Sequence, residues 1–225
     1  MRTDGLAPEL DIFLQAVFAC SPETAASIGR RAADRRYPVR AVIVRQGDRA
    51  GTTFLLVEGR AHALSCGVEG QLVLLHEFLP GDFFGAITQT PQSSEEADIV
   101  AAEDSRAALF LALDFIALIE THSCVGLAVS RALLRQLRAA AERVLERTTL
   151  SAAGRVCAEL LRLARLGDGR SIRPAPVLSK LALRVNSTRE TVSRTINNLE
   201  RRGVVRRERG ALIVVAPQRL EAMVV

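Results

Sequence analysis

NSTRETVSRTINNLERRG, Asn186 to Gly203, is the stretch from which the rest of this 225-residue chain is placed. Ser187 followed three residues later by Glu190 makes a capping-box pattern, with Thr188 competing for the cap, and Gly203 stands where a helix ends. Arg201 and Arg202 fall in the last turn, where the helix dipole favours cations. Val192, Ile196 and Leu199 recur at i, i+4 and i+7 and are expected to be buried. Glu190, Arg194, Asn197 and Arg201 repeat at similar spacing on a second stripe, with Arg189 and Ser193 beside it. One face is therefore apolar, and the other suits a polar, anionic partner.

Upstream, Leu178, Leu181, Ala182 and Val185 form a shorter apolar stripe, and Asn186 tolerates the left-handed turn that joins two helices. Two helices joined this tightly make a helix-turn-helix. Downstream, Val204-Val205 and Ala211 to Val215 flank a short Gly-containing loop and read as a hairpin. A helix-turn-helix followed by a basic hairpin is a winged DNA-binding arrangement; an ordinary small lobe with a solvated charged face is the plainer alternative.

The charge distribution agrees. Net charge is +5, but residues 1–150 hold 15 basic and 19 acidic side chains, whereas residues 151–225 hold 15 and 6. The basic excess belongs to the last third, where it attracts a phosphate backbone. Aromatic content is 4% with no Trp, which disfavours single-strand binding by base stacking. The opening residues MRTDGLAPEL lack an apolar signal core, and the longest apolar run, near Ala107 to Leu113, is too short for a membrane span, so a cytoplasmic protein is expected. Cys20, Cys66, Cys124 and Cys157 are scattered and predict buried thiols, without zinc or iron–sulfur spacing.

Along the chain, Leu10, Phe13, Leu14, Val17 and Phe18 have helical spacing, and a second helical stretch is expected from Pro22 to Ala33. From Val39 to about Leu113, short β-branched and apolar runs alternate with glycines at sandwich or barrel spacing. A short helix near Phe115 to Ile119 leads into a long one. On it Leu127, Leu134, Leu137, Ala141 and Val144 fit a heptad-like seam, with arginines off the seam. Such a seam calls for a partner helix; packing only against the chain's own β domain is the alternative. Ser151 to Gly154 resembles a hinge, and Leu166 to Pro176 a loop.

The run Ser187 to Arg194, STRETVSR, with Leu199-Glu200 and Gly203 following, resembles the recognition helix of the catabolite activator and fumarate-nitrate regulator (CRP/FNR) superfamily. Gln46-Gly47-Asp48, Leu56 to Gly59, Leu79 to Gly85 and Asp114-Phe115 are similar to its cyclic-nucleotide-binding β-roll. The resemblance covers about residues 10–220. It implies an α+β chain: a β-roll sensor domain over 1–120, a dimerisation helix over 121–150, and a winged helix-turn-helix over 151–225. It further implies a bacterial homodimeric transcription regulator on two-fold duplex DNA, recognition helices about one DNA turn apart, roughly 34 Å, and RNA polymerase as a partner.

By the same resemblance Arg189, Glu190 and Arg194 match the base-reading triad and imply TGTGA-type half-sites. The chemistry agrees, since a guanidinium fork fits guanine O6 and N7 and a carboxylate accepts from cytosine N4. Plainer roles are a capping box for Glu190 and an i, i+4 ion pair between Glu190 and Arg194. Thr188, Ser193, Arg201, Arg206, Arg207 and Arg209 are phosphate-contact candidates.

The nucleotide pocket departs from the family pattern. Gly85-Ala86-Ile87 stands where a Gly-Glu-Leu is usual, and Glu95-Glu96 precedes Ala97 where Arg-Ser or Arg-Thr would clamp the phosphate. Ala140 and Ala141 replace the adenine-contacting hydroxyls of the long helix. Two carboxylates repel a phosphodiester, so cyclic AMP is not expected to act, no cofactor is expected, and the effector is unknown. Arg60 and Arg106 are candidates for an anion. His62, His76 and His122 share no spacing, and a plain structural role is preferred for His76. A competing function is a ligand-sensing module that acts as a protein-binding regulatory subunit. Catalytic motifs are absent, and no enzyme is expected.

Overall fold

A computed structural model describes residues 8–67, 72–87 and 94–224. The opening residues whose leader content was considered above lie mostly outside this range. The chain divides into two compact units, one drawn from residues 1–71 and 75–139, the other from 72–74 and 140–225.

The first unit opens with two helices, α1 (Pro8–Phe18) and α2 (Pro22–Gly29). Ser21 caps α2 by accepting from Thr24 N–H, and Pro22 occupies its first position. This helix ends at Gly29 rather than continuing to Ala33. Strand β1 (Ala33–Tyr37) begins there, and its sequence ADRRY hid it: it lies at a sheet edge with only Tyr37 buried. Strands β2 (Val42–Val44), β3 (Thr52–Glu58), β4 (Ala61–Cys66), β5 (Leu72–Phe78), β6 (Phe83–Gly85), β7 (Asp98–Ala101) and β8 (Ser105–Leu111) follow. They form two four-stranded sheets, ordered β1-β8-β3-β6 and β2-β7-β4-β5. Strand β3 explains the packing. Phe54 and Leu56 point between the sheets, where they meet Ala61, Phe78, Phe84 and Ile99. Leu55 and Val57 point the other way, onto Leu14, Phe18 and Ile28 of the helices. A strand covered on both faces needs no polar alternation, hence the unbroken Phe54-Leu55-Leu56-Val57 run.

Helix α3 (Ala112–Thr121) leads into the 27-residue α4 (Ser123–Thr149). Val125, Ala128, Val129 and Ala132 of α4 join the core that covers the outer face of β3 and β8.

The second unit holds α5 (Ala152–Arg165), β9 (Ser171–Ile172), α6 (Leu178–Arg184), α7 (Arg189–Arg201), β10 (Val205–Glu208), β11 (Ala211–Val214) and α8 (Pro217–Glu221). The expected hinge at Ser151 to Gly154 is shorter: only Leu150 and Ser151 separate α4 from α5, and Ser151 caps α5 through Gly154 N–H. Gly154 serves close packing there, since a Cβ would lie 2.9 Å from the Val224 carbonyl. The expected loop from 166 to 176 contains β9, which adds a third strand to the β10-β11 hairpin. Among the described residues no single helix is long and apolar enough to cross a membrane.

Candidate nucleic-acid interface

The recognition segment is fixed from both ends. Helix α6 closes with a Schellman motif: Asn186 takes the left-handed conformation at φ +47°, its N–H donates to Leu183 O (3.3 Å), and Ser187 N–H donates to Ala182 O (2.9 Å). Ser187 therefore completes α6 and does not cap α7. The capping box expected between Ser187 and Glu190 gives way to Thr188, whose Oγ1 accepts from Thr191 N–H at 3.1 Å. At the other end Gly203 takes φ +66°, and Val204 N–H donates to Leu199 O at 2.9 Å. Val192, Ile196 and Leu199 are buried against Leu181, Val185, Val156 and Leu160, as their spacing predicts.

This packing leaves Arg189, Glu190 and Arg194 exposed on the opposite face of α7. Among the described residues none of the three side chains makes a hydrogen bond or ion pair with another, so neither the capping-box role nor the i, i+4 pair engages them. Thr188 is exposed but shares its hydroxyl with Thr191 Oγ1 (2.9 Å), and Ser193 is half-buried. Arg201 lies exposed in the last turn of α7, and Arg209 at the tip of the β10-β11 hairpin. Two other phosphate candidates have partners within the protein. Arg207 donates to Glu200 Oε2 (2.6 Å) and Asn197 Oδ1 (2.8 Å), tying the hairpin to α7, and Arg206 donates to Glu208 Oε1 (2.6 Å).

A buried ionic knot supports this surface and was not anticipated. Glu159 of α5 is 2% exposed and accepts from Arg184 of α6 (2.8 Å) and Arg162 (2.5 Å). Its sequence signal was an acid inside the apolar stripe of α5, with an arginine three residues on.

On α4, seam residues Leu127, Leu134, Leu137 and Val144 are 53–65% exposed, and Ala141 is exposed as well. They occupy a different face from the four residues that pack on the sheets.

In the candidate nucleotide pocket, Gly85 has φ +79°, and a Cβ there would lie 2.4 Å from Thr52 O. Ala86 is buried, with its N–H on Thr52 O (2.9 Å) and its carbonyl accepting from Thr53 Oγ1 (2.5 Å); Ile87 packs on the helix-side core. Phe54 and Phe84 stack at 5.0 Å between the sheets, and Phe78 meets Phe84 at 4.9 Å. Burial pushes the Glu95 carboxyl above its usual range, and Asp48 and then Glu96 add to the shift. Ala140 is half-buried on α4 beside exposed Ala141.

Neither anion candidate is available. Arg106, only 3% exposed, donates to both carboxylate oxygens of Asp34 and to Glu58 Oε1 (3.0 Å), which holds it firmly protonated. Arg60 donates to Glu77 (3.0 Å) and lies 3.9 Å from Glu103. His62 Nε2 also meets Glu77 (3.3 Å), while His76 packs its ring on Phe78. Of the four thiols expected to be buried, only Cys157 is, and burial pushes it up to about 11; Cys66 is exposed, Cys20 and Cys124 half-buried.

Residues 34–122 match the cyclic nucleotide-binding domain family, and residues 154–223 the Crp-like helix-turn-helix domain family. The chain is 32% identical to the cyclic AMP receptor protein of Thermus thermophilus over 76% of its own length and 79% of that protein's. It is 26% identical to the cAMP-activated global transcriptional regulator CRP of Salmonella typhimurium, over 76% and 83%. Among solved structures, the c-di-GMP responsive global regulator CLP of Xanthomonas campestris aligns with TM-score 0.74 at 19% identity, over 86% of this chain and 99% of that one. FixK2 of Bradyrhizobium japonicum aligns with TM-score 0.69 at 20% identity, over 85% and 96%. These two likenesses concern the fold.

Proposed function

The chain belongs to the CRP/FNR family of DNA-binding transcription regulators, and from that premise we propose that it works as a homodimer reading two-fold TGTGA-type sites without cyclic AMP. The observation that carries the reading is the triad Arg189, Glu190 and Arg194: exposed on a helix capped at both ends, with no partner among the described residues. Base-edge readout needs donors and acceptors that are positioned but not already satisfied.

The exposed seam of α4 supports pairing with a second copy, since Leu127, Leu134, Leu137, Ala141 and Val144 form a heptad-spaced apolar stripe without cover. Phosphate contact falls first to Arg201 and Arg209, with Thr188 and Ser193 beside the cap, because Arg206 and Arg207 already hold carboxylates. The domain roles are a sensor-like β-roll over 1–120, a dimer helix over 121–150 and a DNA-binding domain over 151–225. RNA polymerase is the proposed partner on the promoter, and the cytoplasm the place of action.

Independence from cyclic AMP rests on the pocket. Glu95 and Glu96 stand at the phosphate position, Ala86 offers only a methyl group, and Arg60 and Arg106 are engaged by acids. The test is the affinity of the purified protein for a two-fold TGTGA duplex and a scrambled one at fixed physiological salt, with and without cyclic AMP. The expected outcome is strong selectivity without ligand, unchanged by the nucleotide. Selectivity that appears only with cyclic AMP overturns the ligand part; none in either condition overturns the half-site.

A further inference from the structure

The junction between α4 and α5 is only Leu150 and Ser151 long; Arg162 of α5 crosses it to Glu146 of α4 (2.7 Å), and a second arginine crosses it to reach the helix-turn-helix. Arg155, half-buried in the first turn of α5, donates from Nη1 to Leu150 O (2.9 Å) and from Nε to Val185 O (2.9 Å), with Nη2 3.4 Å from Asn186 O. These acceptors share a chemical situation. Leu150 closes the last turn of α4, its N–H on Glu146 O, whereas Val185 is the C-cap of α6 and Asn186 the left-handed residue after it. All three carbonyls lie at helix C-termini, where acceptors lack intrahelical partners and the dipole favours a cation. Among the described residues none of them accepts another hydrogen bond.

A guanidinium suits this place because it is planar, permanently charged and carries its donors in a rigid fork; a lysine supplies one point of charge. The fork joins the end of the long helix to the turn of the helix-turn-helix. Arg189, which opens α7, follows Asn186 by three residues. Without the fork, the remaining side-chain link among the described residues from the end of α4 to α6 is the longer one from Glu146 through Arg162 and Glu159 to Arg184, which does not touch the turn.

We infer that Arg155 is a positioning residue for DNA recognition: it fixes the start of the recognition helix relative to the end of the dimer helix, and so sets the spacing between half-sites that the protein accepts. The inference rests on the two-fold reading proposed above. Arg155 touches no base; it acts through the carbonyls of Leu150, Val185 and Asn186.

The test compares full-length wild type, Arg155→Met and Arg155→Lys on a single TGTGA half-site, a two-fold site of native spacing, and one with a base pair inserted between half-sites. The insertion moves one half-site by about 3.4 Å and about a tenth of a turn. Methionine keeps an apolar stem in place of the arginine stem, and circular dichroism checks that each variant is folded. Wild type is expected to prefer native spacing by tenfold or more. Arg155→Met should bind the single half-site within about twofold of wild type, yet lose about tenfold in spacing preference, with Arg155→Lys intermediate. Undiminished spacing preference in Arg155→Met overturns the inference. So does a half-site loss as large as the two-fold loss, which marks a residue needed only for folding. A wild-type protein without spacing preference removes the two-fold reading itself, and the unmutated protein alone reveals that outcome.

Discussion

The charged side chains of the β-roll and of the winged domain meet opposite ends. In the β-roll, Arg106 is enclosed by Asp34 and Glu58, and Arg60, partly exposed, faces Glu77 and Glu103, so both cations are already paired. In the winged domain, Arg155, Arg184 and Arg207 are likewise engaged, yet Arg189, Glu190 and Arg194 stand exposed with no partner among the described residues. A binding surface differs from a structural one less in its content of charge than in whether that charge is already satisfied. By that measure the exposed face of α7 is ready for a ligand, whereas Arg60 and Arg106 already hold carboxylates.

The largest expected effect attacks the engaged side. Arg106→Ala leaves Asp34 and Glu58 without their cation and should cost about 3–5 kcal/mol of stability. The lower part of that range applies, because both carboxylates remain partly exposed and rehydrate. Thermal unfolding measures the loss, and DNA affinity taken where the variant is still folded should stay within about twofold. A tenfold change in DNA affinity would mean that Arg106 does more than hold the sheet together.

Next comes a contrast within the winged domain. Arg189→Ala should cost about 1–3 kcal/mol on a matched duplex and relax preference at one base position. Arg207→Ala removes an ion pair with Glu200 near the surface and should cost less than about 1 kcal/mol, equally on matched and scrambled DNA. Titration across a salt series separates the roles. A fall of about one unit in the salt slope for Arg207→Ala would show direct phosphate contact in place of the tie between hairpin and helix.

The same contrast explains what the sequence discloses. The helix-turn-helix was legible because its signals are local: Val192, Ile196 and Leu199 at helical spacing, Asn186 and Gly203 at the turns, and a hairpin after them. Even there the cap moved by one residue, because Ser187 is needed as the last element of the α6 Schellman motif. Strand β1 was illegible, since an edge strand with exposed Arg35 and Arg36 lacks an apolar pattern and is defined by its pairing with β8, some seventy residues away. The partners of Arg155, Arg106 and Glu159 were equally hidden. Each depends on a neighbour brought close only by the tertiary fold, and the charge count is the same whether an arginine is enclosed or exposed.

The smallest effect tests the comparison at its weakest contact, the acids Glu95 and Glu96 of the proposed nucleotide position. Glu95 has its carboxyl raised above the usual range by burial first, then by Asp48 and Glu96. A raised carboxyl binds its proton more tightly in the native state than in the unfolded one. Well below the unfolded value both states are protonated, and Glu95 costs nothing. As pH rises through that value and on through the native one, the unfolded chain ionises first and stability falls; above both, the penalty is complete. At neutral pH Glu95 therefore opposes folding, by a small amount because the half-exposed site is screened by solvent. Glu95→Gln should raise the melting temperature at pH 7 by about 1–2 °C, and by less at pH 4, where the penalty is not yet complete. A lower melting temperature at pH 7 would mean that the carboxylate has a favourable partner there. The acids would then be part of a built site, against the proposed loss of a phosphate clamp at Glu95 and Glu96.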